Sequence, residues 1–321
     1  MAYQLVTTEH LEDRLLFRNF QDYVVAMNYV ALQAFKCGVF VLAFVLMSNH
    51  MHFVLLCSKE RAKAFINGFK TAYSRYLWRK YGCREHLRRL KVEIRAVRGE
   101  EAVEWAVAYV QMNPVAANIC ASPFEYPWGT GNTFFKATTG EGDGGIAGGV
   151  TLPAGGRRVG GSASEQGQPQ VVMLERSRPV KELSERKRFK ILHSREDVPG
   201  SWRIGDAGYV LPESYVRKDI VESTYRTPRR MLYFLKNSSK AKQRLAMTDA
   251  NIPAFRDQVI LAAVPDLCQS LFRKRSVDEL SEEQLVELLR QLRYRFSASA
   301  HQLARVTGLT YETAAKYLDR A

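Results

Sequence analysis

Two histidines separated by one methionine form the stretch with the clearest capacity for chemistry. His50 and His52 lie in the second of two apolar runs within residues 41–57, VLAFVLMSNHMHFVLLC. Successive side chains of an extended strand point to opposite faces, so both imidazoles leave the same face, roughly 7 Å apart at the backbone. Two neutral imidazoles placed in this way can share one divalent metal ion. The alternative is a pair of histidines on the polar, non-core face of a half-buried strand.

A tyrosine and an asparagine form a second pair. Tyr109 and Asn113 are four residues apart at the end of a predicted helix over residues 100–112, so they share one helix face. Another face of this helix is predicted to be buried, that of Val103, Val107 and Val110. The phenol and the amide therefore project together from a helix that should cover the sheet carrying the histidines. A buried tyrosine bonded to a neighbouring amide is the commoner explanation of such a pair, and a catalytic tyrosine is the alternative.

The flanking sequence predicts the elements that position these residues. Apolar spacing predicts strands over residues 3–8 and 90–97, two adjacent strands within 41–57, and helices over 20–36, 62–81 and 100–112. Pro114 disfavours helix at Asn113. The resulting order, β-α-β-β-α-β-α, is that of a ferredoxin-like antiparallel sheet with one added helix, which is an α+β fold.

Three segments in this order resemble one family of DNA-processing enzymes. MSNHMHFVLL, AYVQMNPVAANI and SPFEYPWG, within residues 1–132, are similar to the single-tyrosine HUH transposases, in particular the REP-associated tyrosine transposases. The resemblance implies the HUH endonuclease fold and an enzyme that nicks and transfers single-stranded DNA beside hairpins through a 5′-phosphotyrosine. It implies that His50 and His52 bind the metal, Mg²⁺ or Mn²⁺, that Tyr109 is the nucleophile, and that Asn113 occupies the position of a further polar metal ligand.

The same chemistry follows from the residue types. A phenol has a pKa near 10, so ionising it at neutral pH costs about 4 kcal/mol, which a catalyst must supply. A metal held by His50 and His52 would polarise a phosphodiester and orient it for attack by Tyr109. A phosphotyrosine can be reversed by a second DNA hydroxyl without ATP, which is strand transfer. The alternatives are a non-catalytic DNA-binding protein or regulator on the same fold, and a replication or mobilisation nickase.

Composition points to nucleic acid as the partner. The 321-residue chain has a formal charge of +14 and a pI near 9.6, which attracts polyanions. No apolar run approaches the roughly 18 residues of a membrane span, and the N-terminus lacks a signal pattern, so we expect no membrane partner. Five scattered cysteines favour a reduced, cytoplasmic and nucleoid-associated protein, and a homodimer is compatible with the sequence. The second helix carries five basic residues outside its apolar stripe: Lys63, Lys70, Arg75, Arg79 and Lys80. They are predicted to contact DNA, and the alternative is a basic face exposed only to solvent.

Four regions are predicted along the chain. Residues 1–135 form the catalytic domain, 136–170 a Gly-rich flexible linker, 171–275 a basic and mostly helical accessory region, and 276–321 a helix-turn-helix-like module. In the last region, Ser281 and Gln284 form a capping-box pattern, and Gly308 separates two short helices. The second short helix would present four side chains to duplex DNA: Tyr311, Glu312, Thr313 and Lys316. The alternative is a small helical bundle used only for packing.

Overall fold

The N-terminal part of the chain runs through seven elements in the predicted order. The structure is a computed structural model that describes residues 1–82, 87–136, 177–245 and 255–319. The seven elements are β1 Ala2–Thr8, α1 Phe20–Cys37, β2 Phe40–Met47, β3 His50–Cys57, α2 Lys59–Tyr81, β4 Val92–Val97 and α3 Glu100–Gln111. Gly38 and Gly82 end the first two helices in the left-handed conformation, which glycine adopts without steric cost.

The four strands form one antiparallel sheet in the spatial order β2-β3-β1-β4. The central strand β3 begins at His50, directly after the Ser48-Asn49 turn that joins it to β2. In the register of the sheet His52 lies opposite Val45 on one side and Thr7 on the other. The sheet and its helices make a mixed α+β fold. Both histidines lie at the start of β3, an inner strand of the sheet.

Helices cover both faces of the sheet. Phe53 of β3 packs against Phe65 of α2 with ring centroids 5.2 Å apart, whereas His52 packs against Tyr109 of α3 at 5.3 Å. Because neighbouring residues of a strand point to opposite faces, α2 and α3 lie on opposite sides. This arrangement explains why β2 and β3 are almost continuously apolar, since a strand buried on both faces has no polar side.

The outer edge of β2 is covered by two later segments. The backbone of Leu46 donates to the Trp128 carbonyl at 2.8 Å, and that of Thr130 donates to the Phe44 carbonyl at 3.0 Å. Between them Gly129 lies so close that an added Cβ would stand 2.6 Å from the Phe44 carbonyl oxygen. Further along, the Arg217 backbone donates to the Val41 carbonyl at 2.9 Å. An edge strand covered in this way cannot pair with another chain.

Residues 177–245 pack directly on the sheet domain and share its core. Their elements are β5 Ser177–Pro179, α5 Glu185–Leu192, β6 Arg203–Gly205, α6 Lys218–Tyr225, α7 Pro228–Asn237 and α8 Ser239–Leu245. The Tyr225 hydroxyl donates to the Glu104 carbonyl of α3 at 2.6 Å, and the Asn28 amide of α1 donates to the carbonyls of Ile191 and Gly208, each at 3.1 Å. This packing attaches α8 next to the C-terminal end of α3.

The remaining helices form a bundle with a separate core. They are α9 Asp257–Phe272, α10 Glu282–Phe296, α11 Ala300–Thr307 and α12 Tyr311–Asp319. The capping box at Ser281 and Gln284 is confirmed, and Gly308 ends α11 with φ of 75°. Buried residues from Ile260 to Val306 make up the second core. Among the described residues, the first core extends to Ala241 and the second begins at Ile260. Helix α9 therefore packs with the bundle, although it precedes the predicted boundary at residue 276.

Two expectations need comment. Asn113 does not lie in a non-helical segment, because α4, Asn113–Ala116, begins there. Pro114 falls in the first turn of α4, where a missing N–H breaks no helical hydrogen bond. The predicted linker 136–170 lies outside the described residues, apart from Lys136. In the part of the chain that is described, no helix has the length and apolarity needed to cross a membrane.

Candidate functional site

The first strand and the turn before β3 fix the orientation of both imidazoles. The Nδ1 atom of His50 lies 2.9 Å from the Asn49 side-chain oxygen, and that of His52 lies 3.2 Å from the Thr7 hydroxyl. An amide oxygen only accepts, so the His50 Nδ1 carries the proton; the Thr7 hydroxyl can donate or accept, so it holds the His52 ring without fixing its tautomer. Both Nε2 atoms are buried and have no hydrogen-bond partner among the described residues. The His50 ring thus has an unused lone pair on Nε2.

Both rings are more deeply buried than the sequence indicated. His50 is 6% exposed and His52 is fully buried, because α3 covers this face of the sheet. The expectation that the imidazoles lie outside the core is wrong in this respect. Burial lowers the pKa of His50 well below its usual value, with further lowering by His52 and His10. Burial, followed by Lys240 and His10, lowers the pKa of His52 to about 3. Both rings are therefore neutral at pH 7, as metal ligands must be.

A third histidine, His10, joins the pair and was missed in the sequence. Its ring stacks on His50 with centroids 3.6 Å apart and lies 6.3 Å from His52. Ligand atoms of the three histidines all lie within 4.8 Å of one another. Burial lowers the pKa of His10, Lys240 and Arg305 lower it further, and Glu12 opposes them. The sequence signal was weak, since His10 is a single polar residue just after β1.

Helix α3 places Tyr109 against the histidines. Its ring stands nearly perpendicular to that of His52, at an interplanar angle of 84°. Burial raises the pKa of the phenol, whereas Arg95 lowers it and Glu93 raises it. Tyr109 is therefore protonated at neutral pH, and its proton must be removed during any nucleophilic attack. The structure brings together His50, His52 and Tyr109 from segments about fifty residues apart.

Asn113 lies beside this group. Its amide nitrogen donates to the carbonyls of Tyr109, at 2.8 Å, and Val110, at 3.2 Å. A side-chain interaction with Asn113 raises the pKa of His52 and so opposes the effect of burial. The amide nitrogen thus faces the backbone of α3, which leaves the amide oxygen as the atom able to face the site. Its role as a metal ligand stays a prediction.

A lysine from the accessory region completes the site. The Lys240 ammonium of α8 lies 5.1 Å from the centroid of the Tyr109 ring, a cation–π arrangement. Burial lowers the pKa of Lys240. No spacing pattern links residue 240 to residue 109, so only the packing of α8 against α4 shows that they meet. Sequence reasoning found no catalytic constellation in this region.

The residues present fit a divalent metal ion. Three neutral imidazoles converge, two of them with buried Nε2 atoms that nothing else in the described chain satisfies. Buried polar atoms without partners are costly, and a ligand is a common reason for their presence. The Nδ1 hydrogen bonds supply the outer contacts that orient metal-binding imidazoles in proteins. Among the described residues this is the only such cluster of three ligating side chains.

The predicted DNA-contacting residues of α2 divide into two groups. Lys63, Arg75 and Arg79 are exposed. Lys70, which was expected on the solvent side, is instead 7% exposed and donates to the Leu90 carbonyl at 2.7 Å. Lys80 is exposed, but its ammonium pairs with the buried carboxylate of Asp22 at 2.7 Å. Contact of these five residues with DNA stays a prediction.

The candidate recognition residues lie on α12. Tyr311, Glu312 and Lys316 are exposed, and Thr313 is half-buried. The Thr310 hydroxyl accepts from the Thr313 backbone at 3.2 Å, which caps the helix as expected. The Tyr311 ring stacks on His301 of α11 with centroids 4.1 Å apart. A polar face of α12 is thus open to solvent.

Comparison with known proteins gives little beyond these observations. No protein-family model matches the chain, and no curated protein sequence matches it. The chain is similar to a solved structure of a REP-associated tyrosine transposase bound to a REP hairpin. The identity is 17%, the match covers 50% of this chain and 93% of that one, and the TM-score is 0.34. A likeness of this size assigns neither fold nor function, so both rest on the residues described above.

Proposed function

We propose that this chain is a metal-dependent single-stranded DNA endonuclease and strand transferase that acts beside DNA hairpins. The observation that carries the proposal is the packing of the Tyr109 ring against His52, at 5.3 Å, on a sheet face where two buried imidazole nitrogens have no protein partner. The sheet order β2-β3-β1-β4, with its helices, supports the ferredoxin-like HUH fold. The net charge of +14 supports a nucleic acid substrate.

The proposed reaction is a reversible phosphoryl transfer. The Tyr109 hydroxyl oxygen attacks the phosphorus of the scissile phosphodiester and loses its proton. The bond from phosphorus to O3′ breaks, O3′ takes up a proton, and the 5′ phosphate is joined to the tyrosine. When bound by His50 and His52, a divalent metal ion would polarise the phosphate oxygens. A free 3′ hydroxyl can attack the phosphotyrosine and rejoin DNA, because phenolate is a better leaving group than alkoxide.

Lys240 has a role in this proposal that its position supports. As the phenol oxygen attacks, negative charge accumulates on the tyrosine and on the phosphate oxygens. A fixed ammonium near the ring stabilises that charge without reorganisation, and its effect is larger in a partly buried site than in water. We assign Lys240 to binding the phosphate beside Tyr109.

The bundle is proposed to act as a helix-turn-helix that binds the hairpin stem. The left-handed Gly308 turns α11 into α12, and the exposed face of α12 carries Tyr311, Glu312 and Lys316. A recognition helix with such a polar face can enter a major groove. In this proposal single-stranded DNA enters the histidine site while duplex DNA is held by the bundle.

The experiment that tests the function is covalent trapping. The protein is incubated with a hairpin carrying a single-stranded flank and Mn²⁺, and protein–DNA adducts are separated under denaturing conditions. We expect an adduct with the native protein and none with Tyr109→Phe, which loses one hydroxyl and keeps hairpin affinity within a few-fold. Tyr233→Phe, at an exposed tyrosine elsewhere, is the matched control and should form the adduct normally. Adduct formation by Tyr109→Phe would show that another residue is the nucleophile.

A further inference from the structure

The loop that follows β1 brings His10 to the metal site in a defined position. The Glu9 backbone donates to the Lys91 carbonyl at 3.0 Å, and the Leu11 backbone donates to the Asn49 carbonyl at 3.1 Å. The Asn49 amide returns a hydrogen bond to the Leu11 carbonyl at 2.7 Å. His10 is thus held between two anchored residues. One of the anchors, Asn49, is also the residue that orients His50.

The position of the His10 ring fits a ligand better than a packing residue. It is exposed, so burial of apolar surface does not account for its place. It stacks on His50 at 3.6 Å, and its ligand atom lies within 4.8 Å of those of His50 and His52. Nitrogens that share one ion at about 2.1 Å lie roughly 3 to 4 Å apart, so small side-chain rotations close the remaining distance. Three segments of the chain would then contribute ligands to one ion.

We propose that His10 is the third protein ligand of the metal site and that this three-imidazole site selects a transition-metal ion, Mn²⁺, Co²⁺ or Zn²⁺, over Mg²⁺. No carboxylate belongs to the described ligand cluster, and Mg²⁺ is bound mainly through carboxylate, phosphate and water oxygens. Imidazole nitrogen suits the transition metals, and affinity at such sites rises along their series. This inference rests on the proposed function, because it concerns the same metal site, and it replaces the expectation of Mg²⁺ as an equal candidate.

The test measures metal binding by the full-length protein in the absence of DNA. Visible absorption follows Co²⁺ binding, and calorimetry compares Mn²⁺, Zn²⁺ and Mg²⁺. We expect one Co²⁺ per chain, bound at least tenfold more weakly by His10→Ala than by the native protein. His193→Ala, at a histidine outside the cluster, is the control and should bind as the native protein does. His52→Ala should lose binding, which shows what removal of one ligand does.

A second variant tests His10 through a change in metal preference, which a simple loss of metal binding could not show. His10→Asp keeps a ligand at the same place but supplies carboxylate oxygen, so Mg²⁺ affinity should rise relative to Co²⁺ affinity. Equal Co²⁺ affinity of the native protein and His10→Ala, with binding lost in His52→Ala, would overturn the role of His10. Native Mg²⁺ affinity equal to or above Mn²⁺ affinity would overturn the selectivity. Neither result affects the proposed function, which instead fails if no Tyr109-dependent adduct forms on hairpin DNA with metal bound.

Discussion

Each of the two strand histidines is held through its Nδ1 atom by a residue on another strand or in the turn before β3. Asn49 accepts from the His50 Nδ1 and so leaves the Nε2 lone pair of His50 unused, and Thr7 holds the His52 ring through its Nδ1. A histidine with the opposite tautomer would direct an N–H at a cation. These contacts hold the rings of His50 and His52 in place, so that only small rotations are needed for them to share one ion with His10.

Removing the Thr7 hydroxyl should weaken metal binding without unfolding the protein. Thr7→Val keeps the shape of the side chain but leaves the His52 Nδ1 without its partner, so ring orientation is no longer fixed. Metal affinity should fall about 10- to 100-fold, the usual effect of losing such an outer contact. Titration with Mn²⁺ measures it. Thr130→Val, at a buried threonine that bonds Phe44 instead, should lower stability and leave metal affinity unchanged.

Acid should destabilise the metal-free protein through His52. The pKa of His52 is about 3 when folded and 6.5 in the ordinary state, so between these values only the unfolded chain binds this proton. The free energy of unfolding is therefore unaffected by His52 above pH 6.5. As the pH falls from 6.5 towards 3, it decreases by about 1.4 kcal/mol per pH unit for this one proton. Urea unfolding in chelator measures the slope. His52→Gln should flatten it by about one proton, and an unchanged slope would contradict the assignment.

At the scale of elements, the site depends on three helices from two different parts of the chain. α3 delivers Tyr109 and α4 begins at Asn113, while α8 carries Lys240 to the same place. The accessory region is held there by contacts to α3, including the Tyr225 hydroxyl on the Glu104 carbonyl and the pairing of Arg230 with the buried Glu104 carboxylate. The accessory region therefore contributes to the candidate site as well as to the core.

Loss of the Lys240 charge should slow DNA cleavage more than it weakens DNA binding. Lys240→Met keeps the length of the side chain and removes the ammonium that faces Tyr109. Adduct formation in a single turnover should fall about hundredfold to thousandfold, as for other fixed groups that stabilise developing charge. Hairpin affinity should change by less than about threefold. Lys242→Met, on the exposed side of the same helix, is the control; equal rates for both variants would remove Lys240 from the mechanism.

Local patterns in the sequence predicted more of the fold than of the site. Alternation and helical spacing gave every strand and helix up to residue 111, because each is decided by neighbours in the chain. His50, His52 and Tyr109 were found for the same reason, together with the family motifs. His10 and Lys240 were not found, since their roles arise from a loop anchored to Asn49 and from the packing of α8. Lys70 was predicted on the solvent side because lysine is usually exposed, whereas its ammonium is buried and donates to the Leu90 carbonyl.

At the scale of the whole molecule, a single buried carboxylate joins the bundle to the histidine turn. Asp257, at the start of α9, accepts from the Ser48 hydroxyl at 3.0 Å and from the Arg305 guanidinium at 2.9 and 3.1 Å. Gln302 of α11 adds a hydrogen bond to the same carboxylate at 3.1 Å. Ser48 immediately precedes Asn49 and His50, so the bundle docks on the turn that positions the histidines of the candidate site.

Binding of the hairpin stem should depend on Lys316. Lys316→Ala leaves the bundle core intact, unlike deletion of residues 276–321, which would strip α9 of its packing partners. If Lys316 contacts one phosphate, the slope of log affinity against log salt should fall by about 0.9 on duplex DNA. Fluorescence anisotropy at several salt concentrations measures it. Arg293→Ala removes the same charge from α10 and should leave the slope unchanged; equal slopes for Lys316→Ala and the native protein would assign α12 to packing.

The distance along the chain between Tyr109 and Lys240 also has a consequence for protein synthesis. A ribosome that has released the histidines and the tyrosine must still add the residues up to Lys240, which takes on the order of ten seconds at usual rates. During that interval the nascent chain contains Tyr109 and the three clustered histidines but neither the ammonium of α8 nor the bundle that docks through Asp257. Under the proposed function, nicking should therefore reach its full rate only after most of the chain has been synthesised.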